Sequence, residues 1–255
     1  MVVVACVAAV AFAGTARLAA SSSSTGHTIS VAVLDSGIDS KDPGLAGRIV
    51  ATHDFVSSSR VGWHGTAVAD VIATSTCSRC TIVSAKVLDT EDTGSDDEIA
   101  RGVLWAVDSG ARVINLSMSG TDEAPALRDA IRTAFNRGVV VVAAAGNDGS
   151  AAKHFPAADP NVIGVAASTT AGRLFRWSNR GSWVTIAAPG ETPTFVGTSA
   201  AAPAVAAAAA ECLAVSPQLS PSAVRGILVR TAKPVPGMPF GRLDVERMAA
   251  ACANA

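Results

Sequence analysis

Val139 to Ala144 is six apolar residues in a row, closed by the turn cluster Gly146-Asn147-Asp148-Gly149. A run that short, with no polar position, reads as a strand covered on both faces. Ile29–Leu34, Thr81–Val87, Val113–Leu116, Val162–Ala166 and Trp183–Ala187 read as further strands, with another extended piece over Arg48–Ala51. Helical patterns alternate with them. One covers Ala67–Ala73. One is opened by Ser95-Asp96-Asp97-Glu98, stopped by Gly110, and carries Ile99, Val103, Leu104 and Val107 on its apolar face. A third runs from Ala124 to Arg137 with Leu127, Ile131, Ala134 and Phe135 on one face. An alanine-rich helix runs from Ser199 to about Leu213, and Ser220-Pro221 caps a last one over Ser222–Thr231. This alternation predicts an α/β fold: a doubly wound, mostly parallel sheet with helices on both faces.

With 255 residues and 49% hydrophobic content the chain can bury one sizeable core, and one domain is expected. A net charge of -1 argues against nucleic acid or an anionic membrane surface as partner. Met1–Ala13 is nearly all apolar and ends in Ala11-Phe12-Ala13, the small-x-small form of a signal-peptide cleavage site. It lacks a preceding Lys or Arg, Arg17 following instead, and it is short for a membrane span. With the linker-like Ser21–Gly26 it sets residues 1–26 apart from a folded domain over 27–255, and it predicts a secreted or periplasmic protein. Cys6 leaves with the leader. Cys77, Cys80, Cys212 and Cys252 remain, an even number that predicts disulfides. Three pairings are possible, of which Cys77–Cys80 with Cys212–Cys252 is favoured. No second Cys or His pair stands at zinc-ligand spacing from Cys77 and Cys80, so no metal site is expected.

Four polar residues stand at the ends of these elements. Asp35 ends the first strand and Asn147 follows the Val139–Ala144 strand, where open parallel sheets gather ligands. His64 and Ser199 open helices. Each has an ordinary reading: Asp35 and Asn147 as turn residues, His64 as a helix-start residue, Ser199 as an N-cap. Their chemistry is complementary, however. Serine is a weak nucleophile until a base takes its proton, histidine can do so near neutral pH, and a buried carboxylate fixes the imidazole tautomer. The Asn147 amide and the Ser199 N–H can serve an oxyanion.

In the order Asp, His, Asn, Ser the chain resembles the subtilisin-like serine proteases, the subtilases. The resemblance is carried by Val33-Leu34-Asp35-Ser36-Gly37-Ile38, His64-Gly65-Thr66-Ala67-Val68-Ala69, Val113-Ile114-Asn115-Leu116-Ser117, Ala143-Ala144-Ala145-Gly146-Asn147 and Gly197-Thr198-Ser199-Ala200-Ala201-Ala202-Pro203. The closing Gly241-Arg242-Leu243-Asp244-Val245 is also similar. It implies a single-domain monomer cleaving polypeptides through an acyl-enzyme on Ser199, with Asp35 and His64 completing the triad and Asn147 as oxyanion donor. It further implies that Ser117, Met118 and Ser119 pair with the substrate backbone and that Ala144, Ala145 and Gly146 line a pocket with room for a sizeable apolar group.

The chain departs from the family pattern at Trp63 for Gly, Ala67 for His, Asp70 for Gly, Ser119 for Gly and Ala204 for His, and between Pro189-Gly190 and Gly197, a short connection. The family's calcium loop after the histidine helix has no counterpart, so no cofactor is expected, with the Cys77–Cys80 link tightening that connection instead. Nor does a prodomain fit between the leader and Ile29. Two other readings compete. A catalytically silent module of the same fold would bind peptides or a partner. An α/β esterase would want a second glycine after the serine, where Ala201 stands.

Overall fold

The computed structural model describes residues 2–3, 27–57, 60–77 and 79–255. The leader and linker read over residues 1–26 lie outside them, apart from Val2–Val3. Nine strands form one sheet. In chain order they are β1 (Ser30–Asp35), β2 (Ile49–Asp54), β3 (Thr81–Lys86), β4 (Val113–Leu116) and β5 (Val140–Ala144). Then follow β6 (Val162–Ser168), β7 (Ile186–Pro189), β8 (Lys233–Pro234) and β9 (Gly241–Arg242). Their order across the sheet is β8-β9-β7-β6-β5-β4-β1-β3-β2, parallel except for β8 against β9.

The strand order reverses at β1. The chain leaves β1 toward β3 and β2 and returns to β4 on the other side, so the carboxyl ends of β1 and β4 form the crevice where such sheets bind ligands. Asp35 is the last residue of β1, and Ser117 follows β4 directly.

Both faces of the sheet are covered, as the apolar strands require. Val31, Val33, Val113, Val140, Val142 and Val165 point to a core shared with α1 (Trp63–Thr74), α4 (Thr198–Val215), α5 (Pro221–Thr231) and α6 (Val245–Ala253). The alternate residues Ala32, Leu34, Ile114, Leu116, Val141 and Ala143 meet α2 (Asp96–Asp108) and α3 (Pro125–Asn136). The switch of side at every residue is the period of the strand.

α2 starts where its acidic cluster indicates: Ser95 caps it, and Ser95 and Glu98 form a reciprocal capping box. Leu104, expected on its buried face, is 41% exposed. It lies a helical step beyond Val103, at the rim of the face that Ile99, Ala100, Val103, Ala106 and Val107 bury. The strand expected from Trp183 begins only at Ile186, because the Val184 N–H closes a turn on the Gly181 carbonyl and the Trp183 indole donates to Ala151.

α4 is the central helix of the first core. It is apolar and long enough to cross a membrane by length and composition, but 83% of it is buried in the protein. Its alanines let it lie close to the sheet, Ala201, Ala202, Ala206, Ala207, Ala209 and Ala210 being wholly covered.

Disulfides join Cys77 to Cys80 after α1 and Cys212 of α4 to Cys252 of α6, the latter across 40 positions. On chain-entropy grounds the second contributes about 4 kcal/mol. Replacing Cys212 and Cys252 together by Ala is expected to lower the guanidinium unfolding free energy by about that much. A loss below about 1 kcal/mol would mean that packing alone holds α6 on α4.

Candidate active site

His64 and Ser199 occupy equivalent places. α1 begins at Trp63 after Gly62 and α4 at Thr198 after Gly197, so each is the second residue of its helix. Ser199 is therefore no N-cap: Gly197 holds that position, without a side-chain cap bond. The first-turn N–H groups of a helix lack internal acceptors, and among the described residues none accepts from the Ser199 N–H. A developing negative charge there would meet a donor and the positive end of the helix dipole.

Asp35 and His64 are fully buried, and His64 Nδ1 lies 2.8 Å from Asp35 Oδ1. The same oxygen accepts the Ser36 N–H at 2.8 Å, which fixes the carboxylate plane. The Ser36 hydroxyl accepts from the Gly65 N–H at 3.3 Å and so joins the start of α1 to the end of β1. Glycine at position 65 permits this approach, since a Cβ there would come within 2.2 Å of the Gly37 carbonyl oxygen. The imidazole packs edge-on against Trp63 and Phe195, with ring centroids 5.5 and 5.7 Å away. Trp63 is half exposed and forms the solvent side of this aromatic box.

Ser199 is held from behind by Ser117. Pro203 stands inside α4 and has no N–H, so the Ser199 carbonyl lacks its helical donor. The Ser117 hydroxyl supplies the bond at 3.0 Å, while the Ser199 hydroxyl donates to the Ser117 carbonyl at 3.1 Å. The Asn115 amide in turn donates to Ser117 Oγ at 2.9 Å.

Asn147 reaches the same turn. Its Oδ1 accepts both the N–H and the hydroxyl of Thr198 at 2.9 Å. With the oxygen end tied there, the donor end of the amide is Nδ2. Gly146 has φ 98° and brings Asn147 round from β5, its own N–H bonding Thr198 Oγ1 at 3.1 Å.

The residues expected to meet a substrate are mostly covered. Ser117 and Met118 are buried, the Met118 side chain belonging to the α2–α3 core. Ala144 packs into the α4 core, and Ala145 packs with Ala166, Val184 and Phe240. Backbone rather than side chain is what these positions can offer a ligand. Ser119 is partly exposed, and its hydroxyl crowds Gly146, where a Cβ would meet it at 2.8 Å. Beside Trp63 opens a cavity of about 450 Å³ bounded also by Asp39, Thr66, Asp70 and Thr194.

One buried group is missing from the motifs. Asp92, in the turn after β3, is 9% exposed, and its oxygen, an oxygen of Asp35 and a ring nitrogen of His64 lie within 4.8 Å of one another. Burial chiefly holds the Asp92 carboxyl above the usual carboxylate range; Asp35 adds to this, and His64 and the Ser36 hydroxyl oppose it. Among the described residues these three alone are close enough to share a metal ion. Nδ1 of His64 and Oδ1 of Asp35 already bond each other, which suits a hydrogen-bonded network better than a metal cage.

A sequence profile of the Subtilase family matches residues 26–247. The chain is 35% identical to thermitase of Thermoactinomyces vulgaris over 235 residues, 83% of this chain and 84% of that one. It is 35% identical to subtilisin E of Bacillus subtilis (strain 168) over 82% of this chain and 61% of that one. Among solved structures, the self-cleaved protease domain of PatA superposes with a TM-score of 0.77 at 28% identity, covering 89% of this chain and 97% of that one.

Proposed function

Since this chain belongs to the subtilase family of serine proteases, we propose that Ser199 is its nucleophile, His64 its general base, Asp35 the orienting acid and Asn147 an oxyanion donor. The observation that carries the reading is the buried bond between His64 Nδ1 and Asp35 Oδ1. With Nδ1 facing the carboxylate, Nε2 is the nitrogen left to take the Ser199 proton. Ser199 Oγ attacks the carbonyl carbon of a peptide bond as its proton turns from the Ser117 carbonyl to His64. The oxyanion is met by the Ser199 N–H and Asn147 Nδ2. His64 then returns the proton to the leaving amine, and water hydrolyses the acyl-enzyme with His64 again as base.

Every group in this sequence comes from the chain, so the proposed reaction asks for no cofactor. The substrate is a polypeptide, bound as an added strand on the backbone of Ser117, Met118 and Ser119, with Ala144, Ala145 and Gly146 forming the floor of the pocket before the cut. We further propose an exported monomer. The two disulfides and the secretory character of Met1–Ala13 support export.

A fluorophosphonate probe tests the reading. The wild-type protein is expected to label at Ser199. Labelling should fall through a single ionisation on acidification, roughly tenfold per pH unit, because protonated His64 accepts no proton. A rate flat down to pH 4 would exclude His64 as the base, and no labelling of folded protein would favour a silent peptide-binding module.

A further inference from the structure

Asp92 is carried into the site by a tightly bonded turn. The Asp89 carboxylate accepts from the Glu91 N–H, the Thr93 N–H and the Thr93 hydroxyl at 2.8 to 3.0 Å, and the Asp89 N–H donates to the Thr93 carbonyl. The turn is anchored below by the Val87 and Leu88 N–H groups, which both donate to the Asp35 carbonyl. Its frame is thus fixed to the end of β1. At its tip Asp92 adopts φ 56°, a backbone state that glycine takes freely and aspartate at a cost. That conformation turns the carboxyl inward. Asp92 Oδ1 and Asp35 Oδ2 are both buried without a hydrogen-bond partner among the described residues. Ser36 Oγ lies against both side chains.

We propose that Asp92 is a positioning residue for catalysis: a second buried carboxylate that, with Asp35, holds the His64 ring and favours its protonated form during acyl transfer. This rests on the serine-protease reading above. The general base must be charged while the tetrahedral intermediate exists, and Asp92 in its ionised form, within 4.8 Å, stabilises that charge where His64 and Asp35 are buried from solvent. Among the described residues, the other groups against the imidazole do not substitute for Asp92. β1 contributes Asp35, α1 the uncharged Trp63, and the loop before α4 Phe195. Lys86 of β3 pairs in register with Asp35, but its ammonium donates to the Arg60 carbonyl. Asp89 is occupied by its own turn.

The test is a titration of the His64 ring by NMR in the Ser199→Ala background, with and without Asp92→Asn. Asn keeps the shape and removes the charge. The ring is expected to lose about tenfold in proton affinity, one pH unit, on this substitution. In Ser199-containing protein the acid limb of probe labelling should move down by the same amount. Asp92→Gly, which suits the backbone better, must give the same shift, whereas Glu91→Gln in the exposed part of the turn should give almost none. If Asp92→Asn and Asp92→Gly both leave the titration in place, Asp92 is a turn residue only and the proposal fails. A wild-type protein that does not label would defeat the protease reading, while the ring titration would still decide the part played by Asp92.

Discussion

Ser199→Ala should abolish fluorophosphonate labelling and lower peptide turnover by about 10⁶-fold, the scale known for subtilisin. The structure says why the loss belongs to chemistry and not to the fold. The substitution removes the bond from Ser199 Oγ to the Ser117 carbonyl, which costs on the order of 1 kcal/mol. It leaves the opposite bond, from the Ser117 hydroxyl to the Ser199 carbonyl, because that acceptor is backbone. Alanine also continues the run Ala200-Ala201-Ala202 at no packing cost. The variant should therefore unfold within a few degrees of the wild type while turning over nothing above the residual activity of binding and oxyanion stabilisation. A thermal scan and a single-turnover assay on the same preparation check this. A labelled Ser199→Ala protein would place the nucleophile elsewhere.

The parts of this arrangement visible in the sequence are those set by short-range rules. Fully apolar strands announce a sheet covered on both faces, and Asp35, His64, Asn147 and Ser199 stand out because each sits at the end of an element. The edge pair β8 and β9 is invisible in this way, being two residues each and created by contact with β7. The short α6 depends on the Asp244 cap and on its disulfide to α4, both of which act only once the chain has closed. Asp92 is hidden for a related reason. In sequence it is one of several acidic residues between β3 and α2, and only the anchoring of its turn on Asp35 brings it to His64. The helix-cap reading of Ser199 failed for want of one fact, that Gly197 rather than Ser199 is the last residue before α4.

Asn147 separates two kinds of support for the same intermediate. As an oxyanion donor it acts through Nδ2; as a brace it acts through Oδ1, which holds the N–H and hydroxyl of Thr198 next to the nucleophile. Asn147→Ala removes both, and Asn147→Asp removes only the donor, since a carboxylate still accepts from Thr198. If transition-state stabilisation dominates, both variants should lose about 100- to 1000-fold in kcat with KM nearly unchanged, again on the scale known for subtilisin. Asp is expected to be the worse of the two, because its charge opposes the oxyanion. If bracing dominates, Asn147→Asp should retain most of the activity and only Asn147→Ala should fall. The geometry favours the first outcome. Ser199 is also held by Ser117, through its carbonyl and its hydroxyl, so losing the two Thr198 bonds leaves the nucleophile anchored on that side.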